Sequence, residues 1–175
     1  LQARINGYLQ LNGNRYPAQA IHRIDYETSG LVLFCKHPFF QAYCDKNMED
    51  HHIQNEYIAL VQGNTNYKNK KIISNIARDR HNAKKMIIHP NGKESVSIFN
   101  TLKNYKDCSL IQVTILTGRK HQIRVQCASL NHPILNDSLY GGKIIDDTGL
   151  LLQSHHIQFN DVDITCPQEK RFVRK

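Results

Sequence analysis

The sequence predicts an α+β fold, in which a mixed, mostly antiparallel central sheet is flanked by helices. Short apolar or alternating segments that are typical of strands outnumber the two segments with helical periodicity. A chain of 175 residues, 40% hydrophobic and 22% charged, suits one globular domain over residues 1–175. Residues 1–19 are only weakly patterned, and we expect a connecting stretch with one short helix there.

The first strong pattern is the almost continuous apolar run Gly30–Lys36, which predicts a strand buried on both faces. His37 and the proline after it begin a predicted helix that extends to about Glu49. Phe40, Cys44 and Met48 recur at helical spacing within it, so we expect these three side chains to face inward.

The middle of the chain predicts a strand over Glu56–Gln62, followed by a polar, solvent-exposed loop over Asn64–Lys71. Farther along, the segments Lys85–His89 and Ser95–Phe99 flank the turn sequence Pro90–Gly92. Two strand-like runs around such a turn predict a β-hairpin.

Leu110–Leu116 alternates with a period of two and predicts a further strand. Apolar residues from Ile123 to Leu130 then repeat at helical spacing, and a proline soon after ends the predicted helix. Leu150–Phe159 and Asp163–Cys166 predict a final pair of strands.

Composition restricts the class of protein. Lys and Arg number 23 against 15 Asp and Glu, and the resulting charge of +8 favours an anionic partner such as RNA. The longest apolar runs are too short to cross a membrane. The five cysteines are scattered without a CxxC pair, so we expect no disulfide framework, no metal site and a location in the reducing cytoplasm.

The segment His22–Gly30, directly before the first apolar run, is the first candidate for chemistry. It places Asp25 in a loop two residues after Arg23. A purely structural explanation is that the Asp25 side chain caps the turn and Arg23 is solvated.

The second candidate is Thr117–Val125, in which four cationic or potentially cationic side chains fall within six residues at a predicted helix start. Such a start is either a solvated basic surface or a site for an anion, since positive charge there opposes the helix dipole. Ile123 and Arg124 leave a helix about 100° apart. This geometry would let Ile123 line a pocket while Arg124 reaches a buried acid.

Together the two segments resemble a known family. The sequence HRIDYETSGLVLFCK is similar to the HRLDxxTSGLLLFAK signature of RluA-type RNA pseudouridine synthases, and GRKHQIRVQCASLNHPILNDSLYGG to their GRTHQIRVHLAxxGHPILGDxxYG. Weaker similarities follow the family order at NEYIALVQG, NGKESVSIFNTL and LLLQSHHIQF. The resemblance extends over about Ala20–Gln158 and implies that the domain is the catalytic domain of that family.

Departures from the family pattern concern loops and substrate preference. They are Lys120, Gln126, Asn131, Asn136 and Cys35, where the family usually has Thr, His, Gly, Gly and Ala. The family also has a strand with an asparagine-lysine-proline segment before the first signature, often preceded by a small RNA-binding domain. Residues 1–19 show neither, so we expect a chain that is short at its N-terminus.

The resemblance implies isomerisation of uridines in ribosomal or transfer RNA to pseudouridine, without a cofactor. It assigns Asp25 as the catalytic carboxylate, acting as a nucleophile or a base, and Arg124 as its ion-pair partner. Two unit charges about 4 Å apart attract by about 4 kcal/mol at an effective dielectric constant of 20, before desolvation. Tyr57 is implied to support catalysis by stacking on the flipped uracil; a core aromatic residue is the structural alternative.

The other implied site residues bind the substrate. Arg23 holds the flipped nucleotide or fills its vacated place, Arg119 and Lys120 contact phosphates, and Ile123 packs beneath the uracil. We expect a monomer with RNA as its partner and no membrane association. The alternatives are a non-catalytic RNA-binding relative and, with less support, a glycosidase-like hydrolase that uses Asp25 with Glu27.

Overall fold

The computed structural model describes residues 1–174, and within them it contains three α-helices and ten β-strands. The helices are α1 (Gln2–Leu11), α2 (Gln41–Glu49) and α3 (Gln122–Ser129). The strands are β1 (Gln19–Ala20), β2 (Ser29–Gly30), β3 (Phe34–Cys35), β4 (Gln54–Gln62), β5 (Lys70–Arg78), β6 (Met86–Ile88), β7 (Lys93–Asn104), β8 (Cys108–Ile115), β9 (Leu152–Phe159) and β10 (Val162–Thr165).

The strands form one large mixed sheet and one small pair. Seven strands of the large sheet follow the order β10-β9-β4-β8-β7-β5-β6, and all of these neighbours are antiparallel. The eighth strand, β2, pairs with β9 in the parallel direction, while β1 and β3 pair with each other. The predicted α+β fold with a mostly antiparallel sheet is therefore confirmed.

The central strands β4 and β8 carry the main core. Their side chains pack with Phe99 of β7 and with Ile123 and Cys127 of α3, all of them buried. The 3₁₀ turn Lys170–Phe172 adds Phe172, which is fully buried in the same cluster. Burial of these apolar side chains holds α3 against the sheet.

The predicted buried strand over Gly30–Lys36 is wrong. The chain pairs only at Ser29–Gly30 and Phe34–Cys35, and these two short strands have different partners, β9 and β1. Leu31 and Leu33 between them are half-buried and pack on the cluster around Cys44. The apolar run therefore connects the two sheets here. It was predicted as one strand because an apolar pattern does not show which strand a segment pairs with.

The predicted helix after His37 is confirmed as the 3₁₀ turn Pro38–Phe40 followed by α2. Cys44 is buried and Met48 packs on the same cluster, as expected. Phe40 is 55% exposed instead of inward-facing. It lies in the 3₁₀ turn, whose different number of residues per turn moves it off the buried face of the α-helix.

The predicted hairpin around Pro90–Gly92 is also wrong. Strands β6 and β7 form, but each pairs with β5, which runs between them. The sequence prediction missed β5, and the predicted loop Asn64–Lys71 contains its first residues and the buried Thr65 and Tyr67. The burial of β5 alternates poorly, so its sequence carries little period-two signal.

The other predicted elements are confirmed with small changes at their ends: the short helix α1, the strands β4 and β8, the helix α3, and the pair of β9 and β10. Beyond α3, the chain turns at Asn131 in the left-handed region (φ 61°). Among residues 1–174, no helix is both long and apolar enough to cross a membrane.

Candidate active site

A cleft of about 860 Å³ opens at the end of the sheet where β4 and β7 begin and β8 ends. The N-terminal end of α3 and the loop between β1 and β2 complete its walls. All seven site residues predicted from the sequence line this cleft: Arg23, Asp25, Tyr57, Arg119, Lys120, Ile123 and Arg124. The fold therefore brings together side chains that are up to about a hundred positions apart in the sequence.

Asp25 lies in the loop before β2, and β9 holds this loop in place. Gly30 pairs with Ser154 of β9, and on the other side of β9 Ser154 pairs with Tyr57 of β4. The turn is closed by the backbone, where the Thr28 N–H donates to the Asp25 carbonyl at 3.0 Å. The Asp25 carboxylate is therefore free to face the cleft, and its predicted alternative role as a turn cap is not what the structure shows.

Arg124 on the first turn of α3 is the nearest cation to this carboxylate. Its Nη1 is 3.8 Å from Asp25 Oδ2, too long for a hydrogen bond but close enough for strong electrostatic attraction. The Asp25 side chain is 19% exposed and the Arg124 side chain 4%. Arg124 also donates from Nη2 to Glu27 Oε2 at 3.2 Å.

The closest partner of Arg124 is Asp137, a residue that sequence reasoning missed. Arg124 donates from Nε and from Nη2 to the two carboxylate oxygens of Asp137, both at 2.8 Å, and the Asp137 side chain is fully buried. Burial lowers the pKa of Arg124, but the hydrogen bonds and charge of Asp137, with Asp25 and Glu27, outweigh it and raise the pKa above its ordinary value. Asp137 is the only carboxylate in the quoted stretch NDSLYGG, and this could have indicated it.

His121 forms a second contact with Asp25 and connects it to Tyr140, which was also missed. His121 Nε2 is 3.9 Å from Asp25 Oδ1, and His121 Nδ1 is 2.8 Å from the Tyr140 hydroxyl oxygen. That oxygen accepts the Met86 N–H at 2.9 Å, so the tyrosine proton can be donated to Nδ1. Burial lowers the pKa of His121, against the opposing effect of the Asp25 charge.

His121 has a backbone conformation that non-glycine residues rarely adopt. Its φ is 54° and its ψ is 22°, in the left-handed region, directly before α3. Such a conformation costs on the order of 1–3 kcal/mol, and it persists where surrounding contacts enforce it. The bond to Tyr140 and the edge-to-face contact of the two rings, with centroids 5.7 Å apart, are such contacts.

Tyr57 and Ile123 form the apolar wall of the cleft. Both are buried, at 6% and 5% exposure, and Leu152 of β9 lies beside them in the lining. Burial raises the pKa of Tyr57 to about 12, and the Asp25 charge acts in the same direction. The Tyr57 hydroxyl is therefore neutral at pH 7. These side chains offer an apolar surface with an aromatic ring, of the kind on which a nucleobase stacks.

The three remaining predicted residues, Arg23, Arg119 and Lys120, are exposed at the mouth of the cleft. Arg119 is held by its Nε, which donates to the Glu94 carbonyl at 2.9 Å. The buried Gln122 braces the same loop by accepting from the Arg119 N–H at 3.0 Å and donating to Val96 O at 3.1 Å. Hydrogen bonds to Glu94 and Val96 of β7 therefore fix the loop that carries Arg119 and Lys120.

Comparison with known proteins places the chain in a family. Residues 4–129, more than half of the chain, match the family described as RNA pseudouridylate synthase. The chain belongs to this family. The match contains Asp25, Tyr57 and Arg124, and it stops before Asp137 and Tyr140.

Several curated members of the pseudouridylate synthase family are similar in sequence. The uncharacterized RNA pseudouridine synthase YhcT of Bacillus subtilis is 38% identical over 77% of this chain and 45% of its own length. The ribosomal large subunit pseudouridine synthase D of Borreliella burgdorferi is 32% identical over 94% of this chain and 51% of its own length. The chain thus spans about half the length of the curated relatives it matches.

Solved structures of pseudouridylate synthases share the fold. The human RNA pseudouridylate synthase domain containing 1 superposes with a TM-score of 0.78 at 21% identity, over 96% of this chain and 76% of that one. The human RNA pseudouridylate synthase domain containing 4 superposes with a TM-score of 0.79 at 17% identity, over 98% and 78%. At these identities the similarity supports the fold alone.

Proposed function

We propose that this protein isomerises uridines in RNA to pseudouridine, with Asp25 as the catalytic carboxylate. The observation that carries the proposal is the position of Asp25 within one cleft, 3.8 Å from a guanidinium that a second, buried carboxylate holds in place. Family membership and the similarity to a ribosomal large subunit synthase support ribosomal RNA as the substrate. Transfer RNA, a monomeric state, independence of cofactors and a cytoplasmic location stay predictions.

The reaction requires that the glycosidic bond breaks, that the uracil turns, and that it rejoins the sugar through a ring carbon. Uridine and pseudouridine have the same atoms, so no group donor and no oxidant enters the balance. Asp25 must carry a negative charge to act as a nucleophile or a base. The Arg124 guanidinium, whose Nη1 is 3.8 Å from Asp25 Oδ2, attracts this negative charge.

The walls of the cleft would hold the flipped base. Removing a uridine from a stacked RNA strand costs a few kcal/mol, and stacking on an aromatic ring recovers about 1–3 kcal/mol. Tyr57 and Ile123 present the apolar surface for this, while Arg23, Arg119 and Lys120 at the mouth would contact the sugar-phosphate chain. Guanidinium and ammonium groups are common phosphate ligands in protein–RNA complexes.

The decisive experiment incubates the protein with large-subunit ribosomal RNA made by transcription, which contains no pseudouridine, and maps modified positions. We expect pseudouridine with the wild type and none with Asp25→Asn, which removes the charge but keeps the shape. Asp163→Asn is the matched control, since the Asp163 side chain is 64% exposed and lies on β10. Equal activity of wild type and Asp25→Asn would refute the role of Asp25.

The same assay separates the two other functions. A non-catalytic RNA-binding relative, which the charge of +8 favours, would bind the RNA and form no pseudouridine. A hydrolase would release free uracil. The pairing of Asp25 with Glu27 for hydrolysis has little support, because Glu27 does not line the cleft and its Oε2 is 3.2 Å from Arg124 Nη2.

A further inference from the structure

The end of the sheet that carries the cleft also carries a loop that the proposed reaction does not use. The antiparallel register sets Ile76 of β5 opposite Lys93 of β7, and Ser97 of β7 opposite Ile115 of β8. Strand β5 therefore ends where β7 begins and β8 ends. The loop 79–85 between β5 and β6 lies at this same end, next to the start of the cleft wall.

Tyr140 attaches this loop to the cleft. Its hydroxyl oxygen accepts the N–H of Met86, the first residue of β6, at 2.9 Å, and it is 2.8 Å from Nδ1 of the cleft residue His121. The Lys85 ammonium lies over the Tyr140 ring, 5.5 Å from its centroid. One side chain thus connects the base of the loop to the wall that faces Asp25.

The loop and its neighbours form a surface of uncompensated positive charge. Among residues 1–174, no carboxylate lies within 4 Å of any of its cations. The acid within the loop, Asp79, accepts the His81 N–H at 2.8 Å. All of the cations are exposed except Lys85, which is half-buried. We call this surface the basic rim, and it comprises Arg78, Arg80, Lys84, Lys85, Lys93 and Lys120.

We propose that the basic rim binds the phosphates of the RNA segment that flanks the uridine entering the cleft. This inference rests on the proposed function and adds the path of the substrate strand, which extends from Lys120 at the cleft mouth toward the tip of the loop 79–85. Unpaired cations repel one another. When a polyanion binds and neutralises them, counterions are released, and both effects make the free energy of binding more favourable. The rim offers six cations outside the apolar wall of the cleft, so it could contact phosphates on either side of the flipped nucleotide.

A second lysine-rich surface at the opposite end of the sheet provides a matched control. Lys68 precedes β5 and Lys106 follows β7, and both are exposed without a carboxylate within 4 Å in the described part of the chain. They share charge and exposure with the basic rim but lie away from the cleft. An RNA strand that enters the cleft along the rim would not contact them.

The test compares Arg80→Gln/Lys84→Gln with Lys68→Gln/Lys106→Gln in the full chain. All four residues are exposed, so both double variants are expected to fold, which circular dichroism checks. The dissociation constant for transcribed large-subunit ribosomal RNA is measured over a range of salt concentrations. We expect the first variant to bind more weakly, with a salt slope smaller by about 2, or about 1 for each lost phosphate contact. The control variant should keep the wild-type slope.

Equal slopes in the two double variants would overturn the proposal, whether both fall or neither does. Pseudouridine formation is measured on the same samples and keeps the two proposals apart. Equal slopes with pseudouridine still formed would refute the basic rim alone. If the wild type forms no pseudouridine but Arg80→Gln/Lys84→Gln still has a smaller salt slope, the proposed function is refuted and the rim is retained as an RNA-binding surface.

Discussion

Arg124 and Asp137 form a bidentate ion pair in which Nε and Nη2 each donate to a different carboxylate oxygen at 2.8 Å. The contact of Arg124 with Asp25 is a full ångström longer, at 3.8 Å, and uses Nη1. Asp137 therefore sets the position of the guanidinium, and Asp25 meets a cation that is already in place. This division of the planar guanidinium between two carboxylates underlies the first two predictions.

Asp137→Asn is expected to lower the free energy of unfolding by about 3–5 kcal/mol, since it removes the charge that balances a buried guanidinium. Urea unfolding at pH 7 measures the change. Asp163→Asn removes an exposed partner of His156 and should change it by less than about 1 kcal/mol. Similar effects of the two substitutions would mean that the buried pair contributes no more than a surface contact.

Arg124→Lys is expected to retain RNA affinity and to lower turnover on the order of a hundredfold, the effect of a misplaced group in an active site. A single ammonium group cannot donate in parallel to Asp137 and also face Asp25, whereas the guanidinium does both. Turnover on ribosomal RNA is compared at a temperature where unfolding curves show both proteins folded. Unchanged turnover would show that Arg124 is not the cation that supports Asp25.

His22 is expected to make the protein less stable in acid. Its Nε2 accepts the Leu33 N–H at 3.0 Å, which requires a neutral ring, and burial lowers the pKa of His22 below its ordinary value. The folded state therefore binds fewer protons than the unfolded state below about pH 6.5, so the free energy of unfolding falls as the pH decreases through that range. One group contributes a slope of at most about 1.4 kcal/mol per pH unit.

The measurement is urea unfolding between pH 7.5 and pH 5 for wild type and His22→Gln, whose amide oxygen can accept the same hydrogen bond without titrating. The variant should show a smaller loss of stability in acid. Some loss remains, because burial also lowers the pKa of His121. An identical pH dependence in the two proteins would exclude His22 as its source.

Gly30→Ala is expected to disrupt the loop that carries Asp25. Gly30 has a φ of +103°, and an added Cβ would lie 2.0 Å from the Ser154 carbonyl oxygen of β9, so the backbone would have to move. We expect a loss of about 4 kcal/mol or more in the free energy of unfolding. In Gly7→Ala the new methyl meets nothing within 4 Å, and in helix α1 it should raise stability by about 0.5–1 kcal/mol. Equal stability of the two variants would contradict the close approach of Gly30 to the Ser154 backbone.

Elements with a strong local pattern were predicted well. Strand β4 contains an apolar run from Tyr57 to Val61, β8 largely alternates, and α3 combines helical spacing with Asn131 just beyond its end. The errors lie where pairing partners are distant or the pattern is weak. Strand β5 alternates poorly, so the sequence does not predict that it lies between β6 and β7. Both strands of the expected hairpin form, but they pair with β5 and not with each other.

The seven predicted site residues lie in two short motifs and one strand. A short motif can be recognised in the sequence without knowledge of the tertiary structure around it. The α+β class and the candidates Asp25 and Arg124 could therefore be inferred from the order of residues. The closest partner of Arg124 could not be inferred in this way. Asp137 is thirteen positions away in the sequence and Asp25 is 99 positions away, and the distance of each carboxylate from the guanidinium depends on the path of the backbone. The path of the backbone after α3, closed by hydrogen bonds from the Asp137 N–H to Ile134 O and from the Gly142 N–H to Asp137 O, places Asp137 in the bidentate position and leaves Asp25 on the other side of the guanidinium.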